Sequence, residues 1–240
     1  ANAELHAPIF STGEDGCLAR VSLTVKANAL TYGDNCRVQT APCSTFKITL
    51  AELGFKNKVL NPKGQHFKWD GVKRDREALN KDQDLYSWMK DSVVWISSIV
   101  VNRLGREKVR LALKELGYGN AAVGPDEFWI NGPLGISPEG LAKILSRKDN
   151  LNLERAIRLL PEEKIGPYSI MGKTGSCFLG DRKEDRQVGW YAGKVKSDTE
   201  EFAFALRFLD QKNHKTDGPA GFMAKEVFLD WVRQLHNGEQ

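Results

Sequence analysis

Apolar positions recur at short intervals through Leu18, Val21, Leu23 and Val25, ahead of a turn candidate at Tyr32, Gly33, Asp34 and Asn35. That pattern predicts short strands over 18–41. After Pro42 the apolar spacing becomes helical, so a helix is expected over 45–53, closed by Gly54. A strand region therefore feeds a helix at Ser44.

From about 56 to 164 the chain reads as short helices and loops, with helices expected over 82–90, 93–104, 106–116 and 138–146 and Gly117 capping the third. Strands return over 168–173, 187–195 and 201–209. In the last of these Phe202, Phe204, Leu206 and Phe208 share one face, with Ala203 and Ala205 on the other. Large side chains on one face and small ones on the other suit a sheet covered by helices on both sides. A final helix is expected from near Pro219, presenting Phe222, Met223, Val227, Phe228, Trp231, Val232 and Leu235 to that sheet.

This order predicts an α/β (α+β) architecture, an antiparallel sheet flanked by helices with an inserted all-helical subdomain. Residues 1–54 and 165–240 form the discontinuous α/β part and 55–164 the helical one, with Ser44 at the seam.

The 240 residues are 41% hydrophobic, enough for a sizeable core. The 35 basic and 31 acidic residues, net +4, are mixed along the chain, as in Lys73 to Glu77 and Asp181 to Arg186. Such runs read as solvated faces, and without a segregated basic stripe nucleic acid is not an expected partner. No stretch approaches the roughly 20 apolar residues that a membrane helix needs. A start at Ala1, Asn2 and Ala3 is compatible with signal-peptide removal, so a secreted or periplasmic location is expected.

His6, His66, His214 and His236 lack ligand spacing, and no metal is assigned. Cys17 and Cys36 lie near the ends of two strand-like runs. They are either a disulfide across that hairpin or two reduced core thiols, and the pairing of Cys43 and Cys177 stays open.

Ser44 and Lys47 form an S-x-x-K pattern, which on a helix places both on one face. Serine needs an adjacent base, and lysine supplies one only if its pKa is lowered or its amine is chemically converted. Chance alone produces this spacing about once in a chain of this length, and taken by itself it is better explained by a helix cap with a solvent-facing lysine. Lys173, Thr174, Gly175 and Ser176 add a K-T-G-S run at a strand end, offering a cation and hydroxyls to a carboxylate-bearing substrate beside that strand. Ser92 opens a helix and by itself reads as an N-cap.

The S-T-F-K, S-V-V and K-T-G-S segments, in this order, resemble the penicillin-recognising serine enzymes. The A-P-x-S-T-F-K context, the S-V-V-W of Ser92 to Trp95, the run Tyr118, Gly119, Asn120, the Phe128–Trp129 pair followed by I-S-P, and the G-W-Y of Gly189 to Tyr191 resemble the class D β-lactamases, the oxacillinases. The likeness extends over 17–235.

That resemblance implies hydrolysis of the β-lactam ring through an acyl-enzyme on Ser44. Lys47, carboxylated by carbon dioxide or bicarbonate, would be the general base for both half-reactions. It further implies an apolar carbamate pocket of Phe46, Val94 and Trp129, a proton relay through Ser92, and a network held by Lys173. The backbone N–H groups of Ser44 and Ser176 would form the oxyanion hole, with the hydroxyls of Thr174 and Ser176 on the substrate carboxylate.

The chain departs from the family pattern in two places. Only eight residues separate Asn120 from Trp129, and Lys225 stands where relatives carry an arginine for the substrate carboxylate. A β-lactam sensor that keeps its acyl group and a cell-wall peptidase or transpeptidase are the alternative readings.

Overall fold

The computed structural model describes residues 7–8, 10, 14–179, 186–210 and 219–238. His6, His214, residues 1–3 and the charge run over 181–185 lie outside the described residues. In chain order the elements are β1 (Glu14–Ser22), β2 (Leu30–Gly33), a 3-10 turn (Cys43–Thr45), α1 (Phe46–Lys56), β3 (His66–Phe67), β4 (Gln83–Asp84), α2 (Leu85–Lys90), α3 (Val94–Leu104), α4 (Arg106–Leu116), α5 (Pro138–Leu145), α6 (Leu151–Arg158), β5 (Glu162–Ile165), β6 (Tyr168–Phe178), β7 (Gln187–Lys196), β8 (Glu201–Asp210) and α7 (Ala220–Gly238).

Six strands form one antiparallel sheet in the order β2-β1-β8-β7-β6-β5, and β3 with β4 makes a separate small pair. The alternation in β8 decides how each face is covered. Phe202, Phe204, Leu206 and Phe208 join Phe228, Trp231 and Val232 of α7 in one core, with Phe204 and Phe228 stacked at 3.8 Å. Ala203 and Ala205 line the other face, where their small size lets α5 approach β8 and β1. The expected sheet with helices on both faces is the observed one.

Several local expectations are corrected. Gly54 does not close α1, which continues to Lys56; a side chain at Gly54 would strike Leu60, so the glycine serves packing inside the helix. The K-T-G-S run is not a strand end, because β6 continues through Phe178. Phe222 is 61% exposed instead of packing on the sheet. The pattern also missed α6, β5 and the β3–β4 pair, which are too short to establish a periodicity. Gly117 does cap α4, in a left-handed conformation at φ 67° that glycine adopts without penalty.

Both cysteine pairs are bridged, Cys17 to Cys36 and Cys43 to Cys177. The first bridge joins β1 to the loop beyond β2. The second ties the 3-10 turn to β6 across 134 residues of sequence.

Candidate active site

The segment that carries Ser44 is anchored from beneath by the sheet. Arg207, 1% exposed on β8, donates to the carbonyls of Asn35 and Val38 at 2.9 and 2.6 Å and to Thr40 Oγ1 at 3.1 Å. Trp190 Nε1 on β7 donates to Ala41 O at 2.9 Å. These bonds tie the 35–41 loop, largely exposed on its outer side, to the buried sheet and deliver Ser44 to a fixed place.

Ser44 lies in the 3-10 turn, and Lys47 in the first turn of α1 points back at it. Lys47 Nζ donates to Ser44 Oγ at 3.1 Å, and Ser92 Oγ donates to the same oxygen at 2.8 Å. Ser92 is therefore not an N-cap: α3 starts after Val93, and no side chain caps it. Its backbone is left-handed, φ 53°, which serine occupies unfavourably and which turns the hydroxyl toward Ser44.

Lys47 is fully buried. Burial first, then the positive charges of Lys173 and Arg76, holds its pKa well below the ordinary lysine value. Its surroundings are apolar: Phe46 packs on Tyr118, Phe128 and Trp129 at 5.7, 5.7 and 5.9 Å between ring centres. Val94 packs on the same core, half-buried. The carbonyl of Trp129 accepts from Cys43 N at 3.0 Å, which fastens the Trp129 segment one residue from Ser44.

Two buried donors in this cluster, Trp129 Nε1 and the Tyr118 hydroxyl, have no hydrogen-bond partner among the described residues. Burial also pushes the Tyr118 pKa up, keeping that group a neutral donor. A buried amine of lowered pKa, in the same core as an indole N–H without a partner among the described residues, fits a lysine carbamate. A lowered pKa favours the neutral amine, the form that reacts with carbon dioxide, and an indole N–H matches the acceptor oxygens that carboxylation would create.

β6 supplies the opposite wall. β5 pairs only with residues 168–171, so from Lys173 onward the outer edge of β6 has no strand partner among the described residues. A free edge of this kind can receive an extended ligand. Gly175 packs against Ser44, where an added Cβ would lie 3.3 Å from both Ser44 N and Cys43 Cβ. Any larger residue there would press on the Ser44 amide.

Lys173, 2% exposed, donates to Thr174 O at 2.8 Å. Burial, followed by the charges of Arg76 and Lys225, lowers its pKa to about 7. A pKa so close to neutrality lets this lysine gain its charge when an anion binds beside it. Thr174 is half-buried, whereas Ser176 is exposed and accepts from Gly221 N at 2.7 Å at the start of α7, which uses one lone pair and leaves its O–H to donate.

Lys225 departs furthest from expectation. It is ion-paired with Glu163 of β5 at 2.7 Å and is not a free cation. The cation that sequence reasoning missed is Arg76, placed within a run read as a solvated face. Arg76 Nη2 donates to Asp91 O, the carbonyl preceding Ser92, at 2.8 Å. Its charge lowers the pKa of both Lys47 and Lys173. Nothing in the local sequence distinguishes Arg76 from its charged neighbours.

Among the described residues no group of three or more His, Cys, Asp or Glu is arranged to hold a metal, and no helix is long and apolar enough to cross a membrane.

The family model of the penicillin binding protein transpeptidase domain matches residues 22–157. β-Lactamase OXA-1 of Escherichia coli is 30% identical over 207 residues, covering 79% of this chain and 74% of that protein. The probable β-lactamase YbxI of Bacillus subtilis (strain 168) is 29% identical over 202 residues, covering 80% and 70%. Among solved structures, the C-terminal domain of the Bacillus licheniformis BlaR penicillin-receptor superposes with a TM-score of 0.79 at 26% identity, over 92% of this chain and 90% of that one. The matched stretch contains Ser44, Lys47 and Ser92, and the superposition extends across the sheet that carries Lys173. The chain belongs to the penicillin-recognising serine enzymes, in their class D β-lactamase family.

Proposed function

We propose that this protein hydrolyses β-lactams by acylation of Ser44 and attack of water on the resulting ester, with carboxylated Lys47 as the general base for both steps. The observation that carries this reading is the convergence on Ser44 Oγ of a buried Lys47 amine at 3.1 Å and the Ser92 hydroxyl at 2.8 Å. A serine so placed has a route for its proton as it attacks the lactam carbonyl, and Ser92 is in reach to carry one toward the departing nitrogen.

When carboxylated, Lys47 bears an anion able to accept the Ser44 proton and later one from water. Trp129 Nε1 would hold that anion, and the Phe46 cluster and Val94 would keep bulk water from it. Backbone N–H groups of Ser44 and Ser176 would receive the developing oxyanion. Lys173 and Thr174 would receive the substrate carboxylate, drawing Lys173 into its charged form. The two disulfides support a secreted or periplasmic location, since such bonds persist in oxidising compartments.

A second reading, a receptor that is acylated and retains the acyl group, is favoured by the likeness to the BlaR penicillin-receptor domain. One experiment separates them: mix the purified protein with a chromogenic cephalosporin and, in parallel, a fluorescent penicillin. Sustained turnover that disappears in Ser44→Ala is expected of the hydrolase. One equivalent of stable adduct without turnover assigns the receptor role instead.

A further inference from the structure

We propose that the Cys43–Cys177 bridge is a positioning device for the two oxyanion donors, so that acylation of Ser44 depends on the oxidised state of this pair. The proposal rests on the Ser44 acyl-enzyme reading above and adds a requirement to it. Cys43 immediately precedes Ser44, and Cys177 immediately follows Ser176. The bridge therefore joins the direct neighbours of the two residues whose backbone N–H groups would stabilise the oxyanion, and holds their Cα atoms 5.7 Å apart.

The two sides of the bridge differ in stiffness. Cys177 lies within β6, paired with Val188 of β7, and cannot move without disturbing the sheet. Cys43 lies in a short turn and carries φ 53°, a left-handed conformation unfavourable for any residue with a Cβ. Such a conformation persists only where the surroundings over-determine it. Here the restraints are the bond from Cys43 N to Trp129 O, the bond from Thr45 Oγ1 to Pro42 O at 2.6 Å, and the covalent tie to β6.

Both bridged cysteines are buried, 0% and 6% exposed, so neither offers a surface to substrate. Their influence passes through the Ser44 amide, against which Gly175 of the same strand already packs at close range. Loss of the bridge removes the one covalent restraint of the three and leaves two hydrogen bonds to oppose relaxation of Cys43 toward negative φ, a relaxation that would turn the Ser44 N–H with it. Reduction by a dithiol supplies two electrons and two protons, leaves two thiols on the protein, and converts the reductant to its cyclic disulfide. The Cys17–Cys36 bridge, between β1 and the loop beyond β2, gives an internal control.

The test is the rate of Ser44 labelling by a fluorescent penicillin in wild type, Cys17→Ala/Cys36→Ala and Cys43→Ala/Cys177→Ala, each checked for fold by circular dichroism. Non-covalent penicillin affinity is measured in parallel on the Ser44→Ala background. Loss of one oxyanion donor costs about a hundredfold to a thousandfold in rate, and a displaced donor is expected to cost about tenfold to a hundredfold. That slowing should appear only in the Cys43/Cys177 variant, with non-covalent affinity unchanged. If that variant does not fold, wild type reduced with dithiothreitol, its thiols located by alkylation and peptide mass, replaces it. Labelling within about twofold of wild type in the bridge-free protein overturns the proposal and leaves a structural cross-link. Failure of oxidised wild type to label at all overturns the Ser44 reading, and this proposal with it.

Discussion

Glu163 on β5 holds Lys225 on α7 in an ion pair at 2.7 Å, and so occupies the cation that the family resemblance assigned to the substrate carboxylate. The pair is partly exposed, with side chains 41% and 24% accessible. Its contribution to stability is accordingly small, below about 1 kcal/mol. Releasing the lysine is expected to show in binding instead. Glu163→Gln should lower KM for penicillins about twofold to tenfold with kcat little changed, and a KM equal to or above wild type would show that Lys225 does not meet the substrate.

Lys173 should take up a proton when an anionic β-lactam arrives. Its pKa is lowered to about 7 by burial, Arg76 and Lys225, and a carboxylate beside it raises that value. Titration calorimetry of the Ser44→Ala protein at pH 7.5 or thereabouts, in buffers of different ionisation enthalpy, should therefore register uptake on binding that Lys173→Met abolishes. The same shift makes stability rise with pH between about 7 and the ordinary lysine value of 10.5, because over that window the unfolded chain holds a proton that the folded one has lost. Arg76→Ala removes a neighbouring cation and should move the lower limit of that window upward.

Trp129 offers a buried N–H with no partner among the described residues. If it holds a Lys47 carbamate, Trp129→Phe removes a hydrogen bond to an anion, worth about 1.5–3 kcal/mol. Bicarbonate affinity should fall about tenfold to a hundredfold, with part of the activity restored at high bicarbonate. Carbon-13 NMR with labelled bicarbonate provides the direct check: a carbamate signal in wild type, weak in Trp129→Phe and absent in Lys47→Ala.

Arg207 fans out to three oxygens of the 35–40 loop, a task for a planar guanidinium. Arg207→Lys keeps the charge but cannot span all three, and should cost about 1 kcal/mol in urea unfolding, chiefly through the buried Thr40 hydroxyl that loses its donor. Acylation should slow as well, because that loop leads directly to Ser44. A slower rate at unchanged stability would point instead to a longer-range effect on the site.

The legible parts of this protein were those in which periodicity or residue order carries the information. The phenylalanine and alanine faces of β8 predicted a sheet covered on both sides, and Gly117 predicted the end of α4. Short elements such as β5 and α6 were missed because four to eight residues seldom reveal a period.

In the site, the S-x-x-K spacing brings Ser44 and Lys47 together through helix geometry alone, so sequence sufficed for that pair. The ion pair at Lys225, the charge of Arg76 beside two buried lysines, the left-handed turn of Ser92 toward Ser44 and the Cys43–Cys177 bridge each join residues distant in sequence. The chain thus dictates by itself which side chains share a helix face or a strand face, since those periods are properties of the backbone. Which distant charges become neighbours, and whether a lysine is cation or amine, is decided only by packing, because burial and nearby charge set the pKa and neither is encoded locally.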